Sequence, residues 1–483
     1  MKNKGQISIF VSLIIIAMMF LVCIALKIVN RYMSKSEASI AANSAVSMVK
    51  SKYNNYIFDK YHILLFDRTN NSKGEASLEE DIAEDIKFNL KGGLSLENVS
   101  ITDFSMLADS NCHELKKQID EYMLYAGVDN ISEKILDKTG NEEANVDESV
   151  INKMDEDVDG NSSGENMSAE TSGESSGESE GETTAPNIKV KEDDPRKFTK
   201  KAKKQGILKL VTPDDLEVSV EKIDTSDLIS KKYIGFLKDD EDVNCKFNSY
   251  HKLKKDLKKN SPWNNSLVDC GAGLTYANEC FNCATNTDKN EDTVLDFEME
   301  YLIAGKTSDK ANLKSVVNKM LMIRFVVDYT YILTDVKKMG RVEAIATPLS
   351  LLTLIPEVAM KYLIAGCWSY IEAIADVRNL LHGKKLAFTK NSTNWITDID
   401  NIVESIKGEV KEDENGMEYS DYLVILMAPK MNKVYYRMLD VMQLNACKHD
   451  EPIDMDNAAC GISFDTQINY KDEEFYISVS GGY

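Results

Sequence analysis

The chain has 483 residues, room for two or three domains of roughly 100–200 residues each. Fifty-seven Lys and Arg stand against 79 Asp and Glu, a formal charge of −22. That balance argues against nucleic acid as a partner, because phosphate binding needs concentrated positive charge. Apolar residues make up 43% of the chain, so a wholly disordered protein is excluded.

Residues 1–6 read as a short cytoplasmic tail. Ile7–Leu26 (ISIFVSLIIIAMMFLVCIAL) runs for 20 residues without a charge. At about 1.5 Å per residue such a helix spans about 30 Å, the hydrocarbon thickness of a bilayer. The run is longer than a signal-peptide core of ~7–15 residues, and no small-x-small cleavage site follows it directly. The expectation is an uncleaved signal anchor that meets the lipid bilayer through residues 7–26. Lys2 and Lys4 flank one end and Lys27, Arg31 and Lys35 the other. On that charge comparison the short tail is placed inside and the large C-terminal part outside the cytoplasm.

Residues 27–140 predict a membrane-proximal helix followed by a small α+β region. Neither Pro nor Gly interrupts Val29–Tyr56, and Ile40, Ala41, Ala45, Val46 and Val49 recur at helical spacing. One helix from about Ile7 to Tyr53 is therefore expected, half in lipid and half amphipathic. Its outer half is rich in Ala and Ser, which lets neighbours approach closely. Tyr61–Asp67 predicts a short buried strand or a tight helix end, Leu94–Leu107 a strand, and His113–Tyr125 a helix.

Composition shifts at residue 141. Between Asn141 and Asn187 fourteen acidic residues stand against one basic residue, Lys153. The segment 141–200 is expected to be a long disordered acidic linker, since it cannot bury enough apolar surface to offset its ordering entropy. Two basic runs follow, Arg196–Lys204 and Lys252–Lys259, which read as solvated faces or as contacts for anionic lipid, wall polymer or the acidic linker itself. Residues 201–292 predict a Cys-containing α+β region.

From 293 to 447 the pattern is helical. Asp296–Ala304 predicts a short helix stopped at Gly305, with Ser308 capping a long one. Ala344–Leu381 predicts a core hairpin broken by Pro348 and Pro356. Glu357, Lys361, Glu372 and Asp376 interrupt that stretch and argue against a second membrane span. Ser420 opens a helix to about Leu444. Residues 448–483 then predict two closing strands with a turn near Lys471–Glu474. The expected fold is α+β, with a mainly helical C-terminal core.

Nine cysteines are present, and Cys245, Cys270, Cys280 and Cys283 cluster as C-x24-C-x9-C-x2-C. Two disulfides, unbridged thiols and a zinc site all remain open for this cluster. The five histidines form no metal-protease pair, and the carboxylates of Asp296, Glu298 and Glu300 alternate along a helix rather than facing one another. Neither a Walker loop nor a serine elbow occurs. No catalytic residue or cofactor is expected, and no residue is assigned as a metal ligand.

The start KGQISIFVSLI, the YHILLFD segment, EYLIAGKTSDKANL (Glu300–Leu313), IEAIADVRNLLHGKK (Ile371–Lys385), KNSTNW ending at Trp395, and YSDYLVILM (Tyr419–Met427) resemble an uncharacterised family of membrane-anchored proteins of clostridial-type Gram-positive bacteria. The resemblance covers about 1–67 and 290–483. More loosely the chain is similar to pseudopilin-like components of Tad-type pilus or secretion machinery. That similarity implies a surface-exposed role with other membrane or pilus-assembly subunits as partners, and supplies no catalytic residues. Gly5 before an apolar run resembles a prepilin-peptidase site, with cleavage before Gln6. Phe10 stands where type IV pilins carry a glutamate.

Three functions compete on this reading. The favoured one is a non-catalytic structural or assembly component of a Tad-like surface apparatus. The second is a membrane-anchored extracytoplasmic binding or sensor domain for wall polymer or a protein ligand. The third is a tethered hydrolase whose site is built from distant carboxylates.

Overall fold

The computed structural model describes residues 3–126, 134–135, 138, 195–236, 262–287, 292–471 and 473–483. Most of the predicted acidic linker, the basic run 252–259 and Cys245 lie outside the described residues. The protein is α+β, and its residues group into two compact units that are not consecutive stretches of chain.

The first unit comprises residues 1–126, 226–235 and 435–483. It opens with α1 (Asn3–Lys50), a single helix of 48 residues, as its uninterrupted helical pattern predicts. From Ile9 to Met33 its large apolar side chains are exposed, Phe20 by 70%. This N-terminal segment is long and apolar enough to cross a membrane. The character of the helix changes at Ser34. Ser34, Ala38, Ala41, Ala42, Ala45, Val46 and Val49 are all buried, and they recur in steps of three and four along one face. Ile40, expected on that face, is 68% exposed; two residues on from Ala38 it points to the opposite side of the helix.

The buried face of α1 packs with α3 (Glu75–Asn89), which contributes Leu78, Ile82 and Ile86, onto one face of an antiparallel sheet. Chain order runs through α2 (Asn55–Tyr61), β1 (Phe66–Asp67), β2 (Leu94–Met106) and α4 (Asp109–Ala126). Tyr61–Asp67 thus supplies both a helix end and a two-residue strand. The unit closes with β3 (Ala458–Tyr470) and β4 (Glu473–Gly482), turning at Lys471 as expected. β3 is central, pairing with β1, β2 and β4. Its Ile462, Phe464 and Ile468 point into the core, while Asp465 and its alternate neighbours face outward. Gly481 permits the close approach of helix and sheet: a Cβ there would lie 2.7 Å from Val46 Cγ1.

The second unit comprises residues 127–225 and 236–434 and is helical in its described residues. Its helices are α5 (Pro195–Gln205), α6 (Leu208–Val211), α8 (Pro262–Cys280), α9 (Glu298–Ala304), α10 (Asp309–Thr334), α11 (Val336–Thr353), α12 (Glu357–Leu381), α13 (Ile402–Ser405) and α14 (Tyr419–Met427). A further short helix, α7 (Ile229–Tyr233), belongs to the first unit. α9 stops at Gly305 in the left-handed conformation, as predicted.

Three expectations are corrected here. Pro348 does not break the hairpin but lies inside α11, where Ala346 and Leu349 on either side of it are buried; packing outweighs the lost backbone hydrogen bond. Pro356 does stop the helix, with Leu354 left-handed just before it. Ser308 sits at the start of α10 without a side-chain capping bond. That end is held instead by Asn312, which bonds both the N–H and the carbonyl of Lys306. The helix expected from Ser420 to Leu444 is two helices, α14 and α15 (Met431–Lys448), separated by a 3-10 turn over Ala428–Lys430 that accommodates Pro429.

Candidate functional site

The second unit buries five ionisable side chains in one place. Arg324 and Asp328 lie one turn apart on α10, Glu372 and Asp376 one turn apart on α12, and Lys390 on the loop after α12. All five are buried, with Arg324, Asp328, Glu372 and Asp376 at 0% exposure. The helices bring them together because both i, i+4 pairs occupy the apolar faces through which α10 and α12 pack.

Arg324 Nε and Nη2 donate to Asp376 Oδ2 at 2.8 and 2.6 Å, and Nη1 donates to the Phe388 carbonyl at 2.8 Å and the Tyr422 hydroxyl at 3.1 Å. Lys390 Nζ bridges Glu372 Oε1 at 2.6 Å and Asp376 Oδ1 at 2.8 Å. Glu372 also accepts the N–H groups of Ile396 and Thr397, both at 2.7 Å, and the Thr397 hydroxyl at 2.6 Å. Trp368 Nε1 donates to that hydroxyl at 2.9 Å. Two cations and two carboxylates therefore neutralise one another.

The fifth group has no such support. Neither oxygen of Asp328 has a hydrogen-bond partner among the described residues, and the nearest approach of Arg324 Nη2 is 3.6 Å. Burial and the Asp376 carboxylate push its pKa well above the usual carboxylate range, which favours the neutral acid. Burial opposes the charge on Lys390, but Asp376 and Glu372 outweigh it and raise its pKa. Above the cluster, Trp368 and Trp395 meet edge to face at 5.4 Å between centroids, and Lys338 Nζ lies 4.7 Å from the Trp395 ring centre.

A second buried acidic pair lies on α9. Glu298 Oε2 accepts the Asn282 N–H at 2.8 Å, and Glu300 Oε1 accepts the Ala284 N–H at 3.0 Å and the Tyr419 hydroxyl at 2.8 Å. Though they alternate in sequence, both carboxyls thus bind the loop just after α8. Asp296 lies outside the pair and is exposed. Burial pushes the Glu300 carboxyl up to about 7. Asp309, pushed up to about 6 by burial, accepts the N–H groups of Asp296 and Phe297.

Distant carboxylates do converge, then, but Glu372 and Asp376 are saturated by donors from the protein. Taking up a substrate proton at Glu372 or Asp376 would break bonds that tie α10, α12 and the 386–397 loop together. The arrangement is suited to cross-linking these elements.

The residues singled out from sequence are placed as follows. Gly5 and Gln6 fall within α1. Cys270 and Cys280 are on α8, with Cys283 in the loop bound by Glu298 and Glu300, and no disulfide joins the three. No metal-binding group of three His, Cys, Asp or Glu occurs among the described residues. The basic run Arg196–Lys204 forms α5, which buries Pro195 and Ala202 and exposes Lys197, Lys200, Lys201 and Lys204. The charge cluster itself was missed. Its signal was present in Glu372 and Asp376, four residues apart among Ile371, Ile374 and Ala375, and in Arg324 and Asp328 flanking Val327.

No curated protein and no solved structure matches the chain. Residues 185–470 match a family described as a family of unknown function, DUF5702. The match takes in residues 185–289, which the resemblance seen in the sequence did not cover, and lies wholly after α1. It contains all five members of the buried cluster and extends over more than half of the chain, which therefore belongs to the DUF5702 family of unknown function.

Proposed function

We propose that this chain is a single-pass membrane protein with its large C-terminal part outside the cytoplasm, serving as a non-catalytic structural or assembly subunit of a Tad-like surface apparatus. The observation that supports this reading is the continuity of α1. One helix carries an exposed apolar half of membrane-spanning length and a second half that forms part of the core of the sheet unit. A flexible joint would let a tethered head diffuse; a shared rigid helix fixes the orientation of that unit relative to the bilayer, as a subunit of an ordered assembly requires. Deleting the protein is expected to abolish surface filament or secretion assembly, with recovery on complementation. Unchanged assembly would overturn the proposal.

One observation favours a second reading, an anchored module for anionic wall polymer. α5 buries its small residues and presents four lysines outward. Neutralising Lys197, Lys200, Lys201 and Lys204 together would then remove salt-dependent binding to purified anionic wall material, whereas the structural reading expects no such binding to lose.

A further inference from the structure

The hairpin formed by α11 and α12 ends in an apolar tip. Residues 344–356 carry no charge, and every residue from 351 to 359 is exposed. Leu351 is 77% and Leu354 92% exposed, with Leu352, Ile355 and Val358 beside them. Large apolar side chains exposed in one contiguous run, with polar residues behind them, mark a contact surface rather than single scattered residues.

Its polar groups point to what covers it. The Ser350 hydroxyl donates to the Thr347 carbonyl and the Thr353 hydroxyl to the Leu349 carbonyl, both at 2.7 Å. Pro356 brings no N–H to the turn. Side-chain donors turned back onto their own helix leave these hydroxyls satisfied without water, as an apolar environment requires. The nearest charges form a closed group behind the tip: Lys361 pairs with Glu343 and Glu357, and Glu357 Oε1 accepts the Thr347 hydroxyl at 2.7 Å. Among the described residues the charges next to the tip are thus paired with one another.

We infer that the Leu351–Ile355 tip inserts into the interfacial layer of the bilayer, as a shallow membrane contact in addition to the spanning half of α1. The inference rests on the proposed anchoring by α1, which keeps the tip at high effective concentration near lipid. The charged group sets the depth. Only the part of α11 beyond Thr347 and the turn lies past it, a short element suited to the roughly 5–10 Å to which apolar interfacial elements sink. The exposed Tyr362 on α12 lies near the rim, where its ring meets the headgroup layer.

The test uses the full chain reconstituted in vesicles of phosphatidylglycerol and phosphatidylethanolamine. A fluorescent dansylalanine replaces Leu352 in one preparation and Ile16 of α1 in another. Lipids carrying a nitroxide near the headgroup or near the chain end serve as quenchers. The expected result is blue-shifted emission at 352, at least halved by the shallow quencher and affected less by the deep one, with the label at 16 quenched more strongly by the deep one. Leu351→Glu with Leu354→Glu should abolish quenching at 352 and leave the label at 16 unchanged. Water-like, unquenched emission at 352 would overturn the inference. Blue-shifted but unquenched emission would overturn it too, since protein, whether a second copy or another segment, would then cover the tip. An unquenched label at 16 would instead contradict the anchoring by α1.

Discussion

Asp328 and Asp376 lie in the same buried cluster, yet their replacement should have opposite consequences. Asp376→Asn removes the carboxylate shared by Arg324 and Lys390 and leaves a buried positive charge uncompensated. A loss of about 3–5 kcal/mol is expected in chemical denaturation of the full chain in detergent. Asp328→Asn keeps the shape of a neutral acid and should lie within about 1 kcal/mol of the parent at low pH. Because the folded protein holds the Asp328 proton more tightly than the unfolded chain does, the parent loses stability as pH rises above the ordinary aspartate value, and the Asn variant does not. The gap between them should therefore widen in favour of Asn at higher pH.

Glu300 follows the same sign. Its destabilisation accumulates between the ordinary glutamate value and about 7, amounting to about 3 kcal/mol, and Glu300→Gln should remove that slope. A parent that grows more stable over this interval would contradict the assignment. These side chains were hard to read as a site from sequence for a physical reason. A charge inside an apolar helix looks like an interruption of hydrophobicity until its partner on another helix is known. Glu372 and Asp376 read only as interruptions of an apolar stretch, because their partners lie 14 to 52 residues away in the chain.

At the level of elements, the contact between α1 and β4 depends on the missing side chain of Gly481. Gly481→Ala places a methyl group against the stiff Val46 side chain and should cost about 1–3 kcal/mol. Val46→Ala in the same chain should recover most of that loss, measured by thermal unfolding of the pair and both single variants; no recovery would mean that the strain lies elsewhere. Elements with a strong local period were legible in sequence. β2 and the β3–β4 hairpin alternate with period two, and α1 runs without Pro or Gly from Gln6 to its end. Proline read alone was less informative. Pro348 is carried within a packed helix while Pro429 turns the chain through a 3-10 segment, and only tertiary packing separates those outcomes. Ile40 shows the same limit, since it extends the apolar count of α1 without lying on its buried stripe.

For the whole molecule, the proposed role depends on α1 acting as one rod. Insertion of Gly-Gly-Ser between Met33 and Ser34, at the change from exposed apolar to buried small residues, should leave the chain membrane-bound and both units folded. It should nonetheless block assembly of the surface apparatus, scored by electron microscopy of cells carrying only the variant. Normal assembly with this joint would show that the rigid connection is dispensable. The α+β class and the anchor-length first helix were legible because each follows from local composition. The grouping of the N-terminal 126 residues with the closing strands was not, because β3 pairs with β1 and β2 across more than three hundred residues.

The most direct measurement is the intact mass of the protein extracted from its native membrane. If the chain is handled as a pilin-like subunit, the mature N-terminus begins at Gln6, cleaved after Gly5 despite Phe10 in the position of the pilin glutamate. A mass retaining Met1 or its formyl form would contradict the pilin-like account and leave a plain membrane anchor.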